Sequence, residues 1–196
     1  MAFQTVFKRY ELKYMLTSEQ KEKIVEAMSN YMQIDKASIN NGLGFRVVLW
    51  CAGCSLHCEG CQNPYAQDFN AGKPFDETAK QFLFEQLSRP YIKGITLSGG
   101  HPLDKKNRGT IYLLLKEIKE KFPSKDVWIY TGYRWEDIID IREIQHILCY
   151  TDVLVDGAYI EGQRDITLAF RGSTNQRLID VKETLKQGKI ITLQND

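Results

Sequence analysis

The chain of 196 residues lacks an excess of charge of either sign, since 26 Lys and Arg stand against 25 Asp and Glu and leave a formal net charge of +1. Nothing global therefore draws it to nucleic acid or to an anionic membrane, and binding to either would need a local patch. It also lacks any apolar run near the ~20 residues of a membrane-spanning helix. Residues 1–13 alternate charged and aromatic side chains where a signal peptide would have an apolar core. Its five cysteines are too few, too crowded and odd in number for a secreted disulfide scaffold. Together these absences predict a cytoplasmic protein with neither nucleic acid nor membrane among its partners. What is present is globular usage: 43% hydrophobic and 26% charged residues, enough for a sizeable core.

From residue 44 onward, short apolar runs alternate with amphipathic stretches. Residues 45–50 (FRVVLW) form a nearly continuous apolar run, as in a strand buried on both faces of a parallel sheet. Ala79, Phe82, Leu83 and Leu87 then have helical spacing, with Asp76 as an N-cap. Residues 94–97 read as a strand running into Ser98-Gly99-Gly100. Ile111, Leu114, Leu115, Ile118 and Phe122 mark a second helix, with Asn107 placed to cap it. A strand at 127–130, a helix through Ile138, Ile141, Ile144 and Leu148, and a strand at 152–155 follow. Residues 177–181, a helix near 182–187 and residues 190–193 could close the sheet. This alternation predicts an α/β fold with right-handed crossovers and a parallel sheet, open or rolled into a partial barrel, with ligands at the carboxyl ends of the strands.

The opening differs. In residues 7–14 (FKRYELKY), Arg9, Glu11 and Lys13 share one face and Tyr10, Leu12 and Tyr14 the other. A helix is expected over 18–32, with Thr17 and Gln20 spaced as a capping box and Ile24, Met28, Tyr31 and Met32 on its apolar stripe. The segment resembles the start of a VTC-type polyphosphate polymerase domain, whose strands point charged residues into a tunnel. The likeness stops near Lys36, and a closed tunnel needs about eight strands. Residues 1–37 are accordingly read as a strand-helix appendage without activity of its own, and 38–196 as the main domain.

Four cysteines, Cys51, Cys54, Cys58 and Cys61, fall within eleven residues, and Cys149 stands apart. Cys54-x3-Cys58-x2-Cys61 follows the first buried strand. Three thiolates at this spacing can hold three irons of a four-iron four-sulfur cluster and leave the fourth without a protein ligand. Including Cys51 gives C-x2-C-x3-C-x2-C, superficially a four-cysteine zinc site, although zinc ribbons separate their pairs by about 15 to 20 residues. Cys51, where the strand ends, reads better as a buried thiol, and Cys149 as core. His57 could ligate a metal or orient the loop.

This arrangement, with a Gly-Gly segment at the end of the next strand, resembles the radical S-adenosylmethionine superfamily. Residues 41–50 (NGLGFRVVLW), CEGCQNP (58–64), SGGHPL (98–103), WIYTGY (128–133), LVDG (154–157) and TLAFRGSTNQR (167–177) narrow it to the activating proteins of anaerobic ribonucleoside-triphosphate reductases. The resemblance covers about residues 38–193. It implies a partial parallel (β/α) barrel, a [4Fe-4S] cluster on Cys54, Cys58 and Cys61, and S-adenosylmethionine chelated to the free iron. Reductive cleavage of the sulfonium would then yield a 5'-deoxyadenosyl radical. The partners implied are the large subunit of the reductase, which receives a glycyl radical, and an electron donor such as flavodoxin or ferredoxin.

In this picture Ser98, Gly99 and Gly100 grip the methionine moiety through backbone groups. Gly60 and Gln62 contact adenosine. Tyr130, Thr131 and Asp156 line the pocket, or else simply pack. Arg171, Asn175, Gln176 and Arg177 dock or shape the partner's peptide, or else bond within a polar loop. His101 stands where the superfamily has an acidic residue after Gly-Gly, which leaves the grip to the backbone. An activase of a pyruvate formate-lyase type, a non-catalytic zinc module and a polyphosphate-binding remnant are the alternatives.

Overall fold

A computed structural model describes residues 29–193. The strand expected at 7–14 and most of the helix expected at 18–32 lie outside them. The sheet has seven strands, β1 (Asn30–Ser38), β2 (Phe45–Cys51), β3 (Lys73–Pro74), β4 (Ile92–Gly99), β5 (Asp126–Tyr130), β6 (Val153–Asp156) and β7 (Arg177–Asp180), in the order β3-β1-β2-β4-β5-β6-β7. The helices are α1 (Glu77–Leu87), α2 (Arg108–Lys121), α3 (Trp135–Ile138), α4 (Arg142–Leu148) and α5 (Val181–Gln187). The fold is α/β, but the sheet is mixed. The pairs β2/β4, β4/β5 and β5/β6 are parallel, whereas β1/β2, β1/β3 and β6/β7 are antiparallel.

Side-chain alternation divides the sheet into two faces. Val47, Leu49 and Cys51 of β2, Ile95 and Leu97 of β4, Val127 and Ile129 of β5, and Leu154 of β6 point to the helices. There they meet Leu83 and Leu87 of α1, Ile111, Leu114, Leu115 and Ile118 of α2, and Ile144, Ile147 and Leu148 of α4. Burying a side chain of this size contributes about 1.5–3 kcal/mol, so this layer carries most of the stability. The opposite face is aromatic and polar. Trp128, Val155 and Leu178 cluster there with Tyr130 and Phe170. Because β2, β4, β5 and β6 are parallel, their carboxyl ends share one rim.

Arg46 lies on that second face and is fully buried. Its guanidinium donates to Thr96 Oγ1 at 2.8 Å, Leu43 O at 3.1 Å and Ile95 O at 2.7 Å, forms an ion pair with Asp126 at 2.6 Å and lies over the Trp128 ring. Thr96 Oγ1 in turn donates to Asn41 O at 2.7 Å. One cation thus ties the turn before β2 to three strands. Burial lowers its pKa, and Asp126 opposes that shift.

Several local expectations change. Residues 30–32, expected at the end of a helix, belong to β1, which pairs with β2 and carries a 2.8 Å hydrogen bond from Trp50 Nε1 to Asp35 Oδ2. The boundary expected at residue 37 therefore falls inside a strand of the main sheet. A long-range pairing overrides helical spacing that only local residues specify. Asp76 caps α1 as expected, accepting from Ala79 N at 2.9 Å. Asn107 occupies the N-cap position of α2, but its side chain makes no cap bond. The helix expected through Ile138 and Leu148 is two helices, broken where Ile141 is extended. Residues 190–193 contribute a single bridge, Thr192 to Ile179, rather than a strand. Among the described residues no helix is long and apolar enough to cross a membrane.

Replacing Asp126 by Ala should lower the unfolding free energy by about 3 kcal/mol, because it leaves a buried cation without its counter-charge. Urea unfolding checks this, and a loss below about 1 kcal/mol would show that the ion pair does not hold this end of the sheet.

Candidate functional site

The chain leaves β2 at Cys51 and enters a loop held by backbone bonds from two sides. Gly53 N donates to Ala66 O at 2.8 Å and Cys54 N to Gln67 O at 2.9 Å. From the end of β4, Gly100 N donates to Cys51 O at 2.7 Å and His101 N to Gly53 O at 2.8 Å. The approach is so close that a Cβ on Gly99, whose φ is +100°, would lie 2.6 Å from Cys51 O, and one on Gly100 would lie 2.5 Å from Ala66 O. Side chains are excluded there. The Gly100 N–H is committed to the cysteine loop, so any grip on a ligand falls to other groups of this segment.

Cys54, Cys58 and Cys61 are half-buried and line one cavity of about 470 Å³ at the carboxyl rim. Burial raises the Cys54 pKa, backbone N–H groups of Leu56 and His57 oppose the shift, and the nearby Cys58 and Cys61 thiols reinforce it. Hydrogen bonds of that kind favour the thiolate needed by a metal ligand. Among the described residues no three His, Cys, Asp or Glu side chains close on a point as the ligands of one ion would. The three thiols share the lining of that cavity. Cys51 is 4% exposed, lies outside the cavity lining, and has its pKa pushed up to about 12 by burial. Cys149 is half-buried after α4 and does not line the cavity either. The His57 ring pairs through Nδ1 with Gln67 Oε1 at 3.0 Å, which orients the loop.

Of the other residues singled out in the sequence, Gln62, Ser98, Gly99, Gly100, Tyr130 and Thr131 line this cavity, as do Arg171 and Gln176. Gly60, Asp156, Asn175 and Arg177 do not. Gly60 packs instead against Glu161. Asp156 is fully buried, accepts from Trp135 N at 2.9 Å and pairs with Arg177, whose guanidinium also forks onto Glu136 at 2.9 and 2.8 Å. This network joins β6, β7 and α3, and Arg177 holds the Glu136 carboxyl down at about 2. Burial raises the Tyr130 pKa, and its neutral hydroxyl donates to Phe170 O at 2.9 Å.

His101 lines the cavity with its ring buried. Burial pushes its pKa down to about 4, so the imidazole is neutral at neutral pH. Its Nε2 lies 2.7 Å from Thr131 Oγ1, its ring meets Tyr133 edge-on, and Nδ1 has no partner.

Residues 164–176 cover the open face of the sheet. Phe170 packs on Trp128 with ring centroids 5.4 Å apart. Gln176 accepts from Gly172 N and Ser173 N and donates to Gly157 O, while Asn175 Nδ2 donates to Ala158 O at 2.8 Å. These amides are spent on the loop and on the segment that follows β6. Arg171 donates through one terminal nitrogen to Gln176 O at 3.2 Å, and its buried Nε has no partner. Sequence reasoning missed Arg164, Asp165, Ile166 and Leu168 as cavity residues. Leu168 lies within the TLAFRGSTNQR segment, and the other three directly precede it.

The family of 4Fe-4S single cluster domains matches residues 40–179. Proteins named anaerobic ribonucleoside-triphosphate reductase-activating protein are similar over three quarters of the chain. That of Enterobacteria phage T4 is 42% identical over 149 residues, covering 76% of this chain and 92% of its own. The Haemophilus influenzae protein is 38% identical over 149 residues, 75% of this chain and 95% of its own. The Escherichia coli K12 protein is 36% identical over 149 residues, 75% and 96% respectively.

With a pKa near 12, about one Cys51 in 10,000 is thiolate at pH 8, and only the thiolate is alkylated. Peptide mapping after brief alkylation of metal-free protein should find Cys58 and Cys61 labelled and Cys51 labelled only on unfolding. Equal rates would place Cys51 among the accessible thiols.

Proposed function

The chain belongs to the family of anaerobic ribonucleoside-triphosphate reductase-activating proteins, and from that premise we propose that it is a radical S-adenosylmethionine enzyme that installs a glycyl radical on the large subunit of its reductase. The observation that carries the reading is the placement of Cys54, Cys58 and Cys61 around one cavity at the strand ends, with Cys51 buried behind it. Three soft thiolates suit a [4Fe-4S] cluster and leave one iron without a protein ligand. A cluster held by Cys54, Cys58 and Cys61 would supply one electron to split the sulfonium of S-adenosylmethionine into methionine and a 5'-deoxyadenosyl radical, which would take a hydrogen atom from a glycine and leave as 5'-deoxyadenosine.

The chain's own residues hold, orient and exclude. Ser98 and Gly99 offer backbone groups to the methionine moiety, and Gly100, whose N–H is bonded to Cys51 O, offers its carbonyl; Gln62, beside the last ligand, contacts adenosine, while Gly60 shapes the loop against Glu161. With His101 neutral, the ammonium finds no carboxylate there, and the backbone carries the grip. Tyr130 forms the wall and Asp156 braces it through Arg177. Leu56, Leu168 and Phe170 put apolar surface around the reacting group and keep water out. Arg171, with a buried unpaired Nε, is the contact for a carbonyl of the partner's glycine-bearing segment. Asn175, Gln176 and Arg177 give the loop its shape. We take the sheet as the partial barrel of the superfamily, the location as cytoplasmic and the electron donor as a flavodoxin or ferredoxin. The names of the relatives favour the reductase over a pyruvate formate-lyase as the protein activated.

Anaerobic reconstitution with iron and sulfide, reduction, and chromatography for 5'-deoxyadenosine test the proposal. The wild-type chain should form it and generate a glycyl radical signal on the reductase subunit. Cys54→Ala, Cys58→Ala and Cys61→Ala should each abolish both. A loaded, reducible cluster that yields no 5'-deoxyadenosine, or a chain that takes up one zinc without sulfide, would overturn the reading.

A further inference from the structure

We propose that Asp104 and Asn107, two buried polar residues ahead of α2, are positioning residues that pin the cysteine loop on both sides of Cys54 and so set how firmly it keeps its cluster and at what potential. The inference rests on the cluster reading above. Asn107 is 1% exposed and Asp104 4% exposed.

An Asn at an N-cap ordinarily accepts an N–H of the first turn, worth about 1 kcal/mol. Asn107 makes no such bond. Its Nδ2 donates instead to Ala52 O and His101 O, both at 3.0 Å, with Gly53 O at 3.4 Å. One amide thus ties the two residues before Cys54 to the residue after Gly-Gly. Asp104 holds the other side. Its Oδ2 accepts from Ser55 Oγ at 2.5 Å and Ser55 N at 3.2 Å, and its Oδ1 accepts from Lys106 N at 3.2 Å. Its own carbonyl accepts from Asn107 N at 2.9 Å and Arg108 N at 3.1 Å, which joins both residues to the start of α2. Burial disfavours the charged form of Asp104, yet the bonds from Ser55 and Lys106 keep its pKa below the ordinary carboxylate value.

Two effects follow. Without the Asn107 donor, Ala52 O loses that bond, His101 O and Gly53 O keep only those from Asp104 N and His101 N, and Cys54 loses its fixed approach; loss of such outer partners costs about 10–100-fold in metal affinity. A buried negative charge bonded to the residue after Cys54 opposes the addition of an electron to the cluster, so removing it eases reduction.

The test uses the full chain, reconstituted anaerobically, with Asp104→Asn, Asn107→Ala and, as a control in the helix-facing core, Leu115→Ala. Iron and sulfide content, the rate of iron loss to a chelator, the midpoint potential and the melting temperature of the metal-free chain are measured. Asn107→Ala should lose iron at least tenfold faster than the wild type, while Leu115→Ala should melt lower without that acceleration. Asp104→Asn keeps an oxygen for Ser55 and should hold a full cluster at a more positive potential. An unchanged potential in Asp104→Asn together with unchanged iron loss in Asn107→Ala would overturn the proposal. Should Asn107→Ala fail to fold, the isosteric Asp104→Asn decides by its potential alone. A wild-type chain that takes up no cluster removes the cluster reading and this inference with it, whereas a loaded wild type with indifferent variants removes this inference only.

Discussion

The contact between the end of β4 and the loop after β2 is the constraint on which the site depends. Parallel pairing brings Cys51 level with Gly99, and the bonds from Gly100 N and His101 N carry the ladder one step past the sheet, onto Cys51 and Gly53. The backbones approach too closely for a Cβ at either glycine. That closeness places Cys54 at the rim and keeps Cys51 behind it in the core. The strand pair therefore decides which cysteines reach the cavity, and spacing alone does not.

Around this contact the two faces of the sheet have separate tasks. The face toward the helices is aliphatic and supplies burial. The other face carries Arg46, Thr96, Trp128 and Tyr130, and is closed by residues 164–176 rather than by a helix. Polar loops cover it at acceptable cost because Gln176 accepts from Gly172 N and Ser173 N while Asn175 and Gln176 donate to Ala158 O and Gly157 O. The result is a cavity with thiols at one side and aromatic and cationic groups at the other, built on a rigid layer that does not share its residues.

Much of this was legible in the sequence. The apolar runs at β2, β4, β5 and β6, the spacing of Leu83 with Leu87 and of Leu114 with Ile118, the Asp76 cap and the cysteine spacing are local signals, and each has a local physical cause. What escaped is long-range. The first three residues of β1 read as the end of a helix because their pairing with β2 leaves no trace in their own side chains. The antiparallel margins of the sheet follow from where the chain returns, which periodicity does not encode. Asp156 and Arg177, 21 residues apart, find each other only in three dimensions. Asn107 looks the same in sequence whether it caps α2 or holds the loop after β2.

On the proposed reading, Cys54, Cys58 and Cys61 hold a cluster while one iron stays open to S-adenosylmethionine. Electron paramagnetic resonance of the reduced, reconstituted chain, recorded before and after adding S-adenosylmethionine, tests it most directly. The expected spectrum is that of one reduced four-iron cluster whose g values shift when the sulfonium compound binds. A spectrum unchanged by saturating S-adenosylmethionine would contradict it.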